Sequence, residues 1–132
     1  MRILIAEDDA VSRIFLEKVL SEYGDCDLVV DGLETMDAYL IAMREKNPYD
    51  LICLDIMMPK IDGVKVLKAI RNMEIQKGII PGKRAKIIIV TALGETKLVL
   101  SAYEYGCEAY ISKPIDITKL VQTLETLGLI SQ

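Results

Sequence analysis

Asp50-Leu51-Ile52-Cys53-Leu54-Asp55-Ile56-Met57-Met58-Pro59 is the stretch on which the fold turns. Four consecutive apolar residues lie between two acids, and a proline follows. Such a run reads as a short buried strand that ends in a carboxylate and then a breaker. Burying an acid is costly, so an acid at the mouth of a buried strand has a reason to be there. The acids Glu7-Asp8-Asp9 end the first apolar segment in the same manner. Carboxylates at the tips of two strands can converge on one point.

Working outward, strand-like and helix-like segments alternate. Residues 2–6, 26–30, 51–54, 87–90 and 109–112 read as strands. Between them, Val11, Ile14, Phe15, Val19 and Leu20 recur at helical spacing up to Gly24. Residues 34–46 carry Met36, Leu40, Ile41 and Met43 and end at Asn47-Pro48. Val64, Val66, Leu67 and Ile70 mark a helix after Gly63, residues 97–105 a short one closed by Gly106. Ile117, Leu120, Val121, Leu124 and Leu127 form the last stripe before Gly128. The expected order is (βα)5, an α/β chain whose parallel sheet carries helices on both faces. The connection over 76–85, with Gly78, Pro81, Gly82, Lys77, Lys83 and Arg84, reads as an enlarged surface loop with solvated basic residues. One domain over residues 1–132 is expected, with no output domain.

Composition narrows the chemistry. Of 132 residues, 52% are apolar, enough for a full core. The formal net charge of -4 argues against non-specific nucleic-acid binding. Neither a membrane span nor a signal peptide is recognised. Cys26, Cys53 and Cys107 form no disulfide or zinc pattern, which fits a reducing cytoplasm, and Cys53 reads as a small buried hydrophobe. The chain has no histidine. Acid–base or metal chemistry must therefore use carboxylates, lysine, hydroxyls and backbone.

In open α/β sheets, ligands bind outside the carboxyl ends of the strands. Those ends carry Glu7-Asp8-Asp9, Asp55, Thr91-Ala92 and Ser112-Lys113-Pro114. Asp31-Gly32, after the second strand, reads as a turn. Clustered carboxylates raise one another's pKa unless a cation intervenes. A hard divalent cation suits oxygen ligands, and Lys113 adds a fixed positive charge. Such a site can hold a phosphoryl group, with Asp55 as nucleophile.

The chain here resembles the response-regulator receiver domains of two-component signalling, of the single-domain chemotaxis type. The resemblance rests on Ile3-Leu4-Ile5-Ala6-Glu7-Asp8-Asp9, Leu54-Asp55-Ile56-Met57-Met58-Pro59-Lys60-Ile61-Asp62-Gly63, Val90-Thr91-Ala92 and Tyr110-Ile111-Ser112-Lys113-Pro114, and covers essentially the whole chain. It implies a flavodoxin-like fold of strand order 2-1-3-4-5. It implies that Asp55 is the phosphoacceptor. Mg2+ (or Mn2+) would be held by Asp8, Asp55 and the Met57 backbone carbonyl, with Glu7 acting through water or from a second layer. Thr91 matches the hydroxyl that tracks the phosphoryl group, Lys113 the lysine that pairs with it, and Tyr110 the aromatic that changes rotamer. Ala92 and Pro114 support them, and the Lys113–Pro114 peptide is often cis in the family. The implied partners are a sensor histidine kinase or histidine phosphotransfer protein, and an effector protein met by the face of the fourth helix, fifth strand and fifth helix. A monomer is expected, with dimerisation through that face as the alternative. The enlarged loop resembles receivers attached to hybrid kinases, and Tyr103 and Tyr105 add aromatic bulk near the output face.

Simpler roles stand beside these. Asp9 suits the cap of the first helix, and Asp62-Gly63 suits a turn and helix start. Thr91 alone would pass as a β-former and Tyr110 as strand packing. Met36, Met43 and Met73 read as core filler. Two other functions compete with the phosphorylation switch. One is an interaction module of the same fold that works without phosphate. The other is a small Mg2+-dependent phosphohydrolase, which generally needs a second acid two residues after the nucleophile, where this chain has Met57. On the preferred reading the chain is no enzyme beyond transfer of a phosphoryl group to itself and its slow hydrolysis.

Overall fold

The computed structural model describes residues 1–92 and 95–131. Among them a parallel sheet of five strands runs in the order β2-β1-β3-β4-β5. The strands are β1 (Arg2–Ala6), β2 (Asp25–Val29), β3 (Leu51–Asp55), β4 (Lys86–Thr91) and β5 (Ala109–Ser112). They alternate with α1 (Ala10–Leu20), α2 (Gly32–Arg44), α3 (Gly63–Gln76), α4 (Thr96–Glu104) and α5 (Ile117–Thr126). No described helix is long and apolar enough to cross a membrane.

The strand that decides the fold is its centre. β3 pairs with β1 on one side and β4 on the other, and all five of its residues are buried. Alternate strand residues face two separate apolar layers. Leu4, Ile52, Leu54, Ile87 and Ile89 pack with Tyr39, Val66, Leu67, Ile70 and Ala102 from α2, α3 and α4. Ile3, Ile5, Leu51, Cys53, Ile88 and Val90 pack with Leu16, Leu20, Leu120 and Leu124 from α1 and α5. Met36, Met43 and Met73 are partly buried against the first layer, as filler.

The inner faces of two helices differ from the expected stripes. In α1 the buried residues are Leu16 and Leu20, while Val11 and Ile14 are 78% and 60% exposed. In α2, Thr35, Tyr39 and Ala42 point inward and Leu40 and Ile41 outward. A helix touching a sheet along one line buries the i, i+4 row that meets it, whatever apolar residues flank that row. Boundaries moved by a few residues at most: β2 starts at Asp25, and Tyr105 lies just beyond α4 as its cap.

The enlarged loop is better anchored than its composition suggested. Pro81–Lys83 form a 3-10 turn, and half-buried Arg84 donates from Nε to the Ile79 carbonyl at 2.9 Å. Beneath the loop lies a buried ionic network with no counterpart in the sequence reading. Arg71 donates to Glu74 Oε1 (2.7 Å), to the Ala85 and Gly106 carbonyls (2.8 and 3.0 Å) and to both oxygens of Glu108 (2.8 and 2.9 Å). Glu74 and Glu108 accept in turn from the backbone of Ala85 and Ile87. One guanidinium thus ties α3, the loop and the approaches to β4 and β5 together.

Candidate functional site

The parallel sheet places the ends of β1, β3, β4 and β5 along one edge, and the acids, hydroxyl and lysine stand there. Asp9 caps α1, its side chain accepting from Ser12 N–H, so the backbone turns sharply after Glu7 and Asp8. Arg13 holds that turn from the first coil of α1, donating to the Glu7 carbonyl at 2.9 Å and the Asp8 carbonyl at 3.3 Å. Glu7 is thereby turned inward and fully buried, while Asp8 stays exposed. Asp55, 4% exposed, has Oδ1 fixed by the Met57 N–H at 3.1 Å. Asp62 caps α3, and Asp31 caps α2 while pairing with Lys60 at 3.3 Å.

Lys113 reaches these carboxylates from the end of β5. Its Nζ lies 2.8 Å from Glu7 Oε1 and 3.5 Å from Asp55 Oδ2. Partial burial alone would lower its pKa, but the bond to Glu7 and the nearby charges of Asp55 and Glu7 outweigh this and raise it. Lys113 is therefore a fixed cation. Burial, the negative charge of Glu7 and hydrogen bonding with Glu7 together push the Asp55 carboxyl up to about 8, against the pull of Lys113. One ammonium does not balance this many acids.

A divalent cation fits what remains. One carboxylate oxygen from each of Glu7, Asp8 and Asp55 lies within 4.8 Å of the others. Glu7 Oε2 is buried without a hydrogen-bond partner among the described residues. An all-oxygen donor set with an unsatisfied buried carboxylate oxygen suits a hard ion such as Mg2+. Met57, 57% exposed, follows Asp55 by two residues, and its side chain offers no general acid.

Thr91 ends β4, buried, in register with Ser112 of β5 and one residue beyond Val90, the partner of Asp55. Its hydroxyl donates to the carboxylate of Glu95, a residue the sequence reading did not single out. Tyr110 is 49% exposed, its ring edge-on to Tyr103 with centroids 6.1 Å apart. A cavity of about 240 Å³ opens between Thr91, Val99 and Tyr110. The Lys113–Pro114 peptide is cis. Every residue expected at the site lies along this one sheet edge or, for Tyr110, beside it.

The sequence profile of the family described as "Response regulator receiver domain" matches residues 3–125. The chain belongs to that family. It is 33% identical to the chemotaxis protein CheY of Treponema pallidum over 96% of this chain and 81% of that protein. It is 35% identical to the probable transcriptional regulator ycf29 of Porphyra purpurea, covering 94% of this chain but 54% of the relative. The domain thus spans only about half the length of several relatives. Among solved structures, the receiver domain of the Francisella response regulator 1452 superimposes with a TM-score of 0.73 at 30% identity, covering 96% of this chain and 94% of that one. A chain of the CheX-CheY-BeF3-Mg+2 complex from Borrelia burgdorferi gives a TM-score of 0.78 at 27% identity, covering 97% of this chain and 89% of that one. The receiver domain is a phosphorylation-dependent signalling switch.

Proposed function

We propose that Asp55 accepts a phosphoryl group from the phosphohistidine of a sensor histidine kinase or histidine phosphotransfer protein in the cytoplasm. The observation that carries this is the Asp55 carboxylate itself. It is buried, with one oxygen fixed by the Met57 N–H and the other facing Lys113, beside two further acids. Asp8, Asp55 and the Met57 carbonyl would hold Mg2+ (or Mn2+), with Glu7 acting through water or from behind. The ion would neutralise charge on the transferred group.

The chain's own residues do the positioning. Met57 N–H orients the nucleophilic carboxylate. Lys113, already paired with Asp55, neutralises phosphoryl charge as it arrives. Thr91 and Ala92 supply a hydroxyl and an amide on the neighbouring strand end. Pro114 shapes the turn that follows Lys113. The added charge of roughly -1.5 to -2 then reorders the end of β4. Tyr110 turns toward the cavity beside Thr91, and the α4–β5–α5 face changes its affinity for an effector protein. The domain acts as a monomer, with pairing through that face as the alternative, and makes no direct contact with nucleic acid or membrane.

Incubation with Mg2+ and acetyl phosphate should add one phosphoryl group per chain, read by intact mass. Asp55→Asn should abolish it. Undiminished labelling of that variant would exclude Asp55 as the acceptor.

A further inference from the structure

Helix α4 begins with an acid that does not cap it. Glu95 stands at the N-cap position, where a short side chain such as Asp or Ser ordinarily accepts from the backbone of the first turn. Its side chain makes no such bond. Oε2 turns back toward β4 instead, accepting the Thr91 hydroxyl and, at 3.0 Å, the Ala92 N–H. Thr91 has one proton to give. The Ala92 carbonyl, 3.1 Å away, is the competing acceptor, and the charged carboxylate is the stronger one.

The two donors that Glu95 takes are those β4 brings to the phosphoryl site. A carboxylate and a phosphoryl group present the same chemistry to them, anionic oxygen acceptors of similar reach. Both cannot hold one hydroxyl proton, and two anions side by side repel. Resting on the reading of Asp55 as phosphoacceptor, we propose that Glu95 is an internal stand-in for the phosphoryl group. Its carboxylate occupies the Thr91 hydroxyl and Ala92 amide while Asp55 is unmodified, and it must leave before they can bind phosphoryl oxygens. With acetyl phosphate, an Asp55 oxygen bonds to phosphorus as the P–O bond to acetate breaks, and acetate departs with the electron pair. Thr91 and Ala92 assist that step only in molecules whose Glu95 has let go, which lowers the apparent rate by the fraction still held. Because Glu95 is also the entry residue of α4, its release acts directly on the helix that carries exposed Leu100 and Tyr103.

The test compares wild type with Glu95→Gln, Glu95→Ala and Glu95→Asp, labelled by acetyl phosphate with Mg2+. Losing a charge-assisted hydrogen bond should speed labelling about tenfold in the Gln and Ala variants. The Asp variant keeps the charge but is one methylene short, so it should speed up as well. In the unmodified proteins, the Ala92 amide proton should move upfield in 15N-resolved spectra of all three variants. Wild-type rates in the Gln and Ala variants would overturn the proposal. So would acceleration in Gln and Ala but not in Asp, which would trace the effect to charge at a distance. Absence of labelling in wild type and variants alike would defeat the phosphoacceptor reading, whereas a labelled wild type with unresponsive variants defeats the stand-in alone. If the Ala variant fails to fold, the isosteric Gln variant carries the test.

Discussion

Substituting Gly63 by alanine should disable Asp55 without touching it. Gly63 opens α3, and its N–H donates to the Ile56 carbonyl at 2.8 Å. A β-carbon built there would stand 2.2 Å from the Asp55 carbonyl oxygen and 2.8 Å from the Ile56 α-carbon. These neighbours are backbone atoms, so no side chain can swing aside. Restoring ordinary contact at 3.4 Å requires a retreat of about 1.2 Å by α3 or by the turn after β3. β3 is clamped between β1 and β4, so the shift falls on residues 56–63 and on the Met57 N–H that orients Asp55. Overpacking of this kind costs about 1–3 kcal/mol, a large share of a total near 5–15 kcal/mol. Misplacing the reacting carboxylate by about 1 Å is worth up to about a hundredfold in rate. Urea unfolding gives the first quantity and labelling by acetyl phosphate the second. Gly82→Ala is the control, because a β-carbon there meets nothing within 4 Å. A Gly63→Ala protein with wild-type stability and labelling would refute the argument that this close approach positions Asp55.

Two further outcomes are expected. Arg71→Met should lower stability by about 3–5 kcal/mol in urea unfolding, because it leaves the buried Glu74 and its neighbour Glu108 without their cation; a loss under about 1 kcal/mol would mark the network as an exposed-type pairing. Val99→Phe, placed in the wall of the cavity beside Thr91, should leave Asp55 labelling intact yet abolish the phosphorylation-dependent shift of fluorotyrosine at position 110, and a shift that persists would mean Tyr110 does not enter that space.

The sheet was legible because β3 is apolar without alternation, and only a strand covered on both faces tolerates that. The helices were legible as existing, less so in orientation. In α1, Val11 and Ile14 are strongly apolar like Leu16 and Leu20, and the sequence holds no term for the line along which the sheet is met. The Arg71 network escaped for a related reason. Nothing in the sequence around Arg71, Glu74 and Glu108 distinguishes them from ordinary surface charges. They become interior groups only when the loop after α3 folds over them and its backbone amides seek acceptors.

At the site, residue types and strand-end positions carried most of the information. A parallel sheet makes every strand end a neighbour of the next, so four polar tips imply one cluster. What position along the chain does not encode is pairing. Glu7 and Asp8 are adjacent acids, yet one is fully buried on Lys113 and the other is in solvent, a division made by the Asp9 cap and Arg13. Glu95 is the sharper case. As an acid at a helix start it invites the reading of a cap, and only the folded structure reveals that it serves the strand behind it. The general point concerns anion sites that are filled intermittently. Donors arranged for a phosphoryl group turn to other acceptors in its absence, and a buried donor such as the Thr91 hydroxyl does not stay unsatisfied. Some acceptor must serve them in the resting protein, and a carboxylate from the same chain is well suited to the part. It binds strongly enough to order the donors, and its single charge is less than that of the phosphoryl group that displaces it.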